Sequence, residues 1–252
     1  MDQTHYSDPS LSNIPYDVVP LPSKGMFYKN KLDSVKVTYL NASDENLLSS
    51  PNIVENGNII DELLRRKILG AEVNISEMLE CDKQAVLIFL RNTAFGPTYE
   101  FTLTDPSTKQ KFNHTHDLSN VSMKDFSLVA DEKGEFSFTL PVTKKVVKFK
   151  FLSSTQETEL SNIDSQYEGR ISPKVTKRLE YLIQEIEGER DKGNLAQIIQ
   201  SMPIKDSQEF RNYVRDNEPG LDLKVTVRAP SGEEVTTSVV LGAHFFRPFF
   251  GL

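Results

Sequence analysis

The chain has 252 residues, which is enough for one large domain or two small ones with a buried core. Hydrophobic residues make up 38% and charged residues 26%, as in ordinary globular proteins, and the formal net charge of −7 argues against binding to a nucleic-acid backbone. Cys81 is the only cysteine, which excludes an internal disulfide and a thiolate metal cage and favours a reducing compartment.

The first 20 residues are polar and contain Pro9, Pro15 and Pro20. This composition predicts an extended N-terminal arm, residues 1–20, of which residues 1–18 are expected to add little to folding stability. No basic stretch followed by an apolar stretch is present, so no signal peptide is expected. The longest wholly apolar run, residues 85–90, is too short to cross a membrane.

Residues 21–95 are predicted to form a mainly helical segment. Alternation in "VKVTYL" indicates a strand over 35–40, and cap-type residues followed by two leucines indicate a short helix over 41–50. Apolar residues at helical spacing indicate a second helix from Ile59 to Ile68. Asp82 is expected to cap a third helix, which is apolar nearly all round and should therefore lie at the centre of the fold.

The apolar period changes to two in residues 96–153, which predicts a β-rich segment. A first ribbon runs over 99–116 with its turn at Asp105-Pro106-Ser107, and a second strand pair covers 136–140 and 147–151. The polar stretch 153–173 resembles a surface loop or linker.

Residues 154–218 are predicted to be a second helical segment. One apolar stripe favours a single helix; it consists of Val175, Leu179, Leu182, Ile183 and Ile186. A short helix follows over 193–202, and Asp206 with Glu209 has the spacing of a capping box for the next helix. Residues 219–252 then hold a second ribbon and an aromatic tail.

The two ribbons repeat one pattern, "FTLTDPSTKQKF" at 101–112 and "VTVRAPSGEEV" at 225–235. Two-stranded ribbons are marginal alone, so we expect them to pack against each other. The predicted fold class is therefore α+β, with helical segments and two packed β-ribbons.

Motifs for catalysis are scarce. Neither a Gly-rich phosphate loop nor a G-x-S-x-G elbow occurs. Cys81 fits a small semi-buried residue better than a nucleophile. His114 and His116 share one face of a strand, and with Asp117 they could hold zinc or iron. The simpler interpretation is that they are exposed polar residues of a strand.

The closing stretch "HFFRPFF" contains four phenylalanines in seven residues. One interpretation is that Phe245 and Phe246 fold back into the core. The other is a partner-docking patch, because terminal aromatic rings beside an arginine are typical interface anchors. Both hold if one ring pair turns inward and the other outward. The candidate partner-binding residues are Phe245, Phe246, Arg247, Phe249 and Phe250.

Six stretches occur in one order: "LPSKGMFY", "SDENLLSSPNIVENGNIIDELL", "CDKQAVLIFLRNTAFGPTYEF", "HDLSN", "MPIKDSQEFRNYVRDNEPGLDLKVTV" and "FFRP". Together they resemble the T4-type baseplate hub assembly proteins of contractile-tailed bacteriophages, over residues 20–248. The resemblance implies ribbons that often carry a C-P-x-C knuckle. Here those positions read 105–108, "DPST", and 229–232, "APSG", so the expected ribbons are zinc-ribbon-like without metal.

The resemblance also implies a function. It points to a chaperone or minor subunit that acts by protein contacts while the hub and tail tube are started, with other hub proteins or the tape-measure protein as partners. It implies no enzyme and no catalytic residue, and a location in the host cytoplasm or the virion baseplate. No cofactor or metal is expected. No nucleic-acid partner is expected because of the net charge, and no membrane because the apolar runs are short. The alternatives are a metal-dependent enzyme using His114 and His116, or a generic adaptor with a peptide-binding groove. The oligomeric state stays open.

Overall fold

The computed structural model describes residues 14–28, 31–49, 59–70, 73–241 and 245–246. Seven α-helices lie within these ranges: α1 (Ala42–Ser49), α2 (Ile59–Lys67), α3 (Glu80–Phe95), α4 (Ser154–Gln166), α5 (Lys174–Leu182), α6 (Lys192–Gln200) and α7 (Ile204–Asp216). Ten strands accompany them: β1 (Tyr16–Pro20), β2 (Ser34–Thr38), β3 (Ile68–Leu69), β4 (Thr98–Thr104), β5 (Lys111–Asp117), β6 (Phe136–Thr139), β7 (Val146–Phe149), β8 (Ile183–Ile186), β9 (Lys224–Arg228) and β10 (Glu234–Ser238). The predicted α+β class is confirmed.

The strands form four small antiparallel sheets in the described part of the chain. Their orders are β1-β2-β3, β4-β5, β6-β7-β8 and β9-β10. A sheet this small cannot hold a fold by itself, so each one rests on helices or on another ribbon.

Strand β1 lies inside the stretch that the sequence assigned to an N-terminal arm. Tyr16 pairs with Thr38 and Pro20 with Ser34, so these residues are the edge of a sheet. Only Val19 of this strand is buried. A single inward side chain gives no alternating pattern, which is why composition alone indicated an arm.

Helix α3 is central, as predicted, because it joins two hydrophobic cores. Val86 and Leu90 lie in the first core, which also contains the β1–β3 sheet, α1, α2, both ribbons and the C-terminal rings. Cys81, in the first turn of α3, lies in the second core, which is built from the β6–β8 sheet and helices α4 to α7. The prediction that Asp82 caps this helix is wrong. The N-cap residue is Leu79, whose side chain makes no capping hydrogen bond.

The second core differs from the sequence prediction in two elements. The stretch 153–173, expected to be a loop, contains helix α4, which begins with a capping box between Ser153 and Gln156. The apolar stripe from Val175 to Ile186 is divided: α5 ends at Leu182, and Ile183–Ile186 forms strand β8, which pairs with β7. The register of β8 against β7 shifts at Lys148 and Phe149, and this bulge lets both Ile183 and Ile186 reach the second core.

The predicted capping box at α7 was also wrong. Helix α7 begins at Ile204 after Pro203, which makes no side-chain cap, and Asp206 already lies within the first turn. The Asp206 carboxylate instead binds backbone N–H groups of the turn between β6 and β7. The N-cap position is therefore occupied by a proline, and the carboxylate that was expected to cap the helix makes a tertiary contact.

Candidate partner-binding surface

The two ribbons place their apolar faces in the first core. In β4 and β5 the partly buried residues alternate with exposed ones, so Tyr99, Phe101 and Leu103 point inward and the threonines point out. Val225 and Val227 of β9 do the same in the second ribbon. The outer faces are polar, as expected for two-stranded ribbons with one wet side.

Asp105 joins the two ribbons at their turns. One carboxylate oxygen accepts N–H bonds from Ser107 at 2.9 Å and Thr108 at 3.2 Å. The other accepts the N–H of Ser231, in the second ribbon, at 3.0 Å. Ser107 Oγ also donates to Glu233 Oε1 at 2.6 Å. The predicted contact between the ribbons is confirmed, and the Asp105 carboxylate forms part of it.

This arrangement favours the ionised form of Asp105. Burial on its own raises the pKa, but the N–H groups of Thr108, Ser231 and Ser107 bring the pKa of Asp105 below its ordinary value. A charge-assisted acceptor thus lies where the resemblance places the first knuckle cysteine. The sequence signal was the Asp-Pro-Ser turn itself, since aspartate at such a position binds N–H groups two and three residues on.

The C-terminal rings Phe245 and Phe246 are both fully buried, at 0% exposure. The centroid of Phe245 lies 5.1 Å from that of Tyr99 and 5.5 Å from that of Phe246. A partner would reach these two rings only if the tail left the core. The other three candidate residues, Arg247, Phe249 and Phe250, lie outside the described residues, and their docking role stays a prediction.

Arg91 of α3 secures the place where the tail meets the first ribbon. Its guanidinium carbon lies 5.0 Å from the ring centroid of Tyr99 and 5.2 Å from that of Phe245. The same guanidinium donates to the carbonyl oxygens of Gly96 at 2.7 Å and Thr98 at 2.6 Å. Burial lowers the pKa of Arg91, and the ring faces and carbonyl oxygens stabilise its charge. Sequence reasoning missed this residue because it lies within an apolar helix.

His114 and His116 share one face of β5, as predicted, but this is the half-buried inner face, so the interpretation as exposed polar residues is wrong. Their ring centroids are 6.3 Å apart, and His114 lies 5.4 Å from Phe101. Asp117 is on the opposite, exposed face and accepts the N–H of Ser119 at 2.8 Å. Within the part of the chain that the structure describes, no three His, Cys, Asp or Glu side chains are grouped to hold a metal ion.

Two further groups singled out from the sequence are buried in structural roles. Burial raises the pKa of the Cys81 thiol, which keeps it protonated. Burial also raises the pKa of Asp82, whose carboxylate accepts the N–H of Ser23 at 2.9 Å and the hydroxyl of Tyr28. Asp82 thus holds the turn after β1 against α3.

Among the described residues, no helix is long and apolar enough to span a membrane. No curated protein and no solved structure matches the chain. The sequence profile of one family, described as "T4 bacteriophage base plate protein", matches residues 16–247. That match covers both ribbons, both cores and the buried tail rings, and the chain therefore belongs to the T4 bacteriophage base plate protein family.

Proposed function

We propose that this base plate protein is a hub assembly protein, acting as a chaperone or minor structural subunit through protein contacts while the hub and tail tube are started. The observation that carries the proposal is the family match over residues 16–247. The assignment to the hub and to the assembly step rests on the six ordered stretches that resemble T4-type baseplate hub assembly proteins.

The burial pattern supports a protein that acts by contact and is not an enzyme. Three of the most deeply buried ionisable groups hold loops and ribbons in place: Asp82 binds the turn at Ser23, Asp105 joins the ribbons, and Asp206 holds the turn between β6 and β7. These carboxylates have backbone partners, which is the pattern of structural groups. The net charge of −7 keeps such a protein soluble before its partners arrive.

The proposed partners are other hub proteins or the tape-measure protein, met in the host cytoplasm during assembly. In this proposal Arg247, Phe249 and Phe250 dock a partner, while Phe245 and Phe246 fix the start of that segment in the core. The double change Phe249→Ser with Phe250→Ser should then leave the fold intact and abolish partner capture. An unfolded variant would place those rings in the core and remove the docking role.

The main test is affinity capture from infected cells, combined with mass spectrometry of purified virions. Capture of hub or tape-measure proteins is the expected result. Presence of the chain in virions would identify a minor subunit, and absence a chaperone. Capture without any tail protein, together with stoichiometric zinc or iron lost on changing His114 and His116 to alanine, would favour the metal-dependent alternative.

A further inference from the structure

Strand β1 forms one edge of the β1-β2-β3 sheet. Strand β2 lies on one side of it, and among the described residues no strand pairs with its other side. Directly after β1, the N–H of Leu21 donates to the carbonyl oxygen of Asp33 at 2.8 Å, so these two residues form a pair that exchanges hydrogen bonds. Such pairs alternate along an antiparallel ladder with pairs whose backbone groups point away from each other.

The alternation identifies the backbone groups at the open edge of β1. Counting back from Leu21 along the register with β2, the residues that point away from β2 are Tyr16, Val18 and Pro20. Proline fits this position, because it has no N–H to give to β2. The open edge therefore offers the N–H groups of Tyr16 and Val18 and the carbonyl groups of all three residues to another strand.

The side chains along this edge are apolar and face solvent. Tyr16 is 43% exposed and Val18 is 59% exposed, whereas Val19 on the inner face is buried. Lys36 lies opposite Val18 in β2, and its ammonium group is 5.1 Å from the ring centroid of Tyr16. In β5, β6 and β10 the exposed side chains are all polar or charged, which is the usual protection of an edge strand. The exposed rings and methyl groups of β1 lack that protection.

A second copy of β1 matches this edge in both hydrogen bonding and side chains. With a two-fold axis at Val18, the two Val18 residues exchange both of their backbone bonds, and the N–H of Tyr16 donates to the carbonyl oxygen of Pro20 of the second copy. The N–H that proline lacks then falls at the ends of the pairing, where water reaches the backbone. On the outer face Tyr16 meets Pro20 and Val18 meets Val18, and on the inner face Asp17 meets Val19, so like charges do not lie opposite each other.

We propose that the open edge of β1 binds a second copy of this chain, which joins the β1-β2-β3 sheets of both copies into one continuous sheet. A two-fold pairing covers this edge in both copies at once and leaves neither of them open. The proposal goes beyond the function proposed above and does not depend on it, since it concerns the oligomeric state of the chain alone.

The test is sedimentation velocity of the full chain over a range of concentrations, with charged residues placed at position 18. Val18→Lys and Val18→Glu each put like charges opposite each other, so each should raise the dissociation constant of the dimer at least about ten-fold. An equimolar mixture of the two variants should recover the dimer, because a lysine then faces a glutamate across the axis. The matched controls are Ile171→Lys and Ile171→Glu, at a residue that is 95% exposed and lies between α4 and α5; both should sediment like the wild type.

Recovery in the mixture is expected only if residue 18 lies opposite itself. A wild-type chain that stays monomeric at every concentration overturns the proposal, and so do variants that dimerise as well as the wild type. A mixture that stays monomeric overturns the pairing at Val18. If the wild type is monomeric and Val18→Lys abolishes capture of another base plate protein, the edge binds a strand of that protein and the second copy is wrong. Thermal melts establish that each variant is folded. A negative result here leaves the hub assembly proposal standing, because that proposal is tested by capture from infected cells.

Discussion

Replacing Phe245 by alanine tests whether the C-terminal tail is part of the core. The ring is completely buried and contacts Tyr99, Phe246 and the guanidinium of Arg91. Removing a buried phenyl group costs about 3–5 kcal/mol, through lost burial and the cavity left behind. About 0.5–2 kcal/mol of this corresponds to the contact with the arginine charge.

Thermal melting followed by circular dichroism, supported by urea unfolding, measures this loss. In a domain of this size each kcal/mol lowers Tm by about 2–4 °C, so Phe245→Ala should lower it by on the order of 10 °C. The control is Ile171→Ala, where the side chain is 95% exposed and the expected change is within about 0.5 kcal/mol.

The reasoning has a clear refutation. If Phe245→Ala melts within a degree or two of the wild type, the ring contributes no packing, and the tail is not anchored between α3 and the first ribbon. All four phenylalanines of the C-terminal stretch would then be available to dock a partner.

Three further predictions concern the ribbons, acid stability and the N-terminal strand. Cysteines at Ser107 and Ser231 should be joined by a short bifunctional reagent, and Asp105→Ala should slow the reaction because the N–H of Ser231 loses its acceptor; equal rates would show that Asp105 does not couple the turns. The pKa of Asp131 is lowered from 3.8 to about 2, first by its bond to Lys148, so its contribution to stability is present above the unfolded value and is lost as pH falls from 3.8 towards 2. Asp131→Asn should therefore flatten acid unfolding in that window, and an unchanged acid transition would contradict the assignment. Deleting residues 1–20 removes β1 and should lower Tm, in contrast to what their composition suggests; an unchanged Tm would show that this strand adds no stability.

The ribbons and the central helix could be predicted from the sequence because their patterns are local. Residues Thr98–Thr104 alternate regularly between half-buried and exposed, and both ribbon turns contain Pro-Ser. The contact between the ribbons also follows, because an isolated two-stranded ribbon has an apolar face that needs a cover.

Helix α4 and strand β8 could not be found by periodicity. Helix α4 buries only Ser154, Leu160 and Ile163, so its sequence looks like a polar linker, although the Ser153–Gln156 capping box was a local sign. For β8, periodicity predicted a helix where the structure has a strand. Ile183 and Ile186 continue a helical stripe, and only pairing with β7 selects an extended backbone.

The buried carboxylates depend on partners far away in the chain. Asp82 binds a residue 59 positions earlier, and Asp206 binds residues 63 and 64 positions earlier. Near each of them the sequence offered a helix-capping role, which is the commonest local use of aspartate. Contacts between residues so far apart in the chain produce no periodic pattern in the sequence. The sequence therefore indicated that these aspartates accept hydrogen bonds, but it indicated the wrong donors.

The composition of the two cores has a consequence for the order in which they fold. The buried residues of the second core all lie between Leu79 and Val214. The first core combines Val19 with Phe246, so its closure has the higher contact order and is expected to be the slower step. Until it closes, the ribbons present open apolar faces that chaperones and proteases can bind.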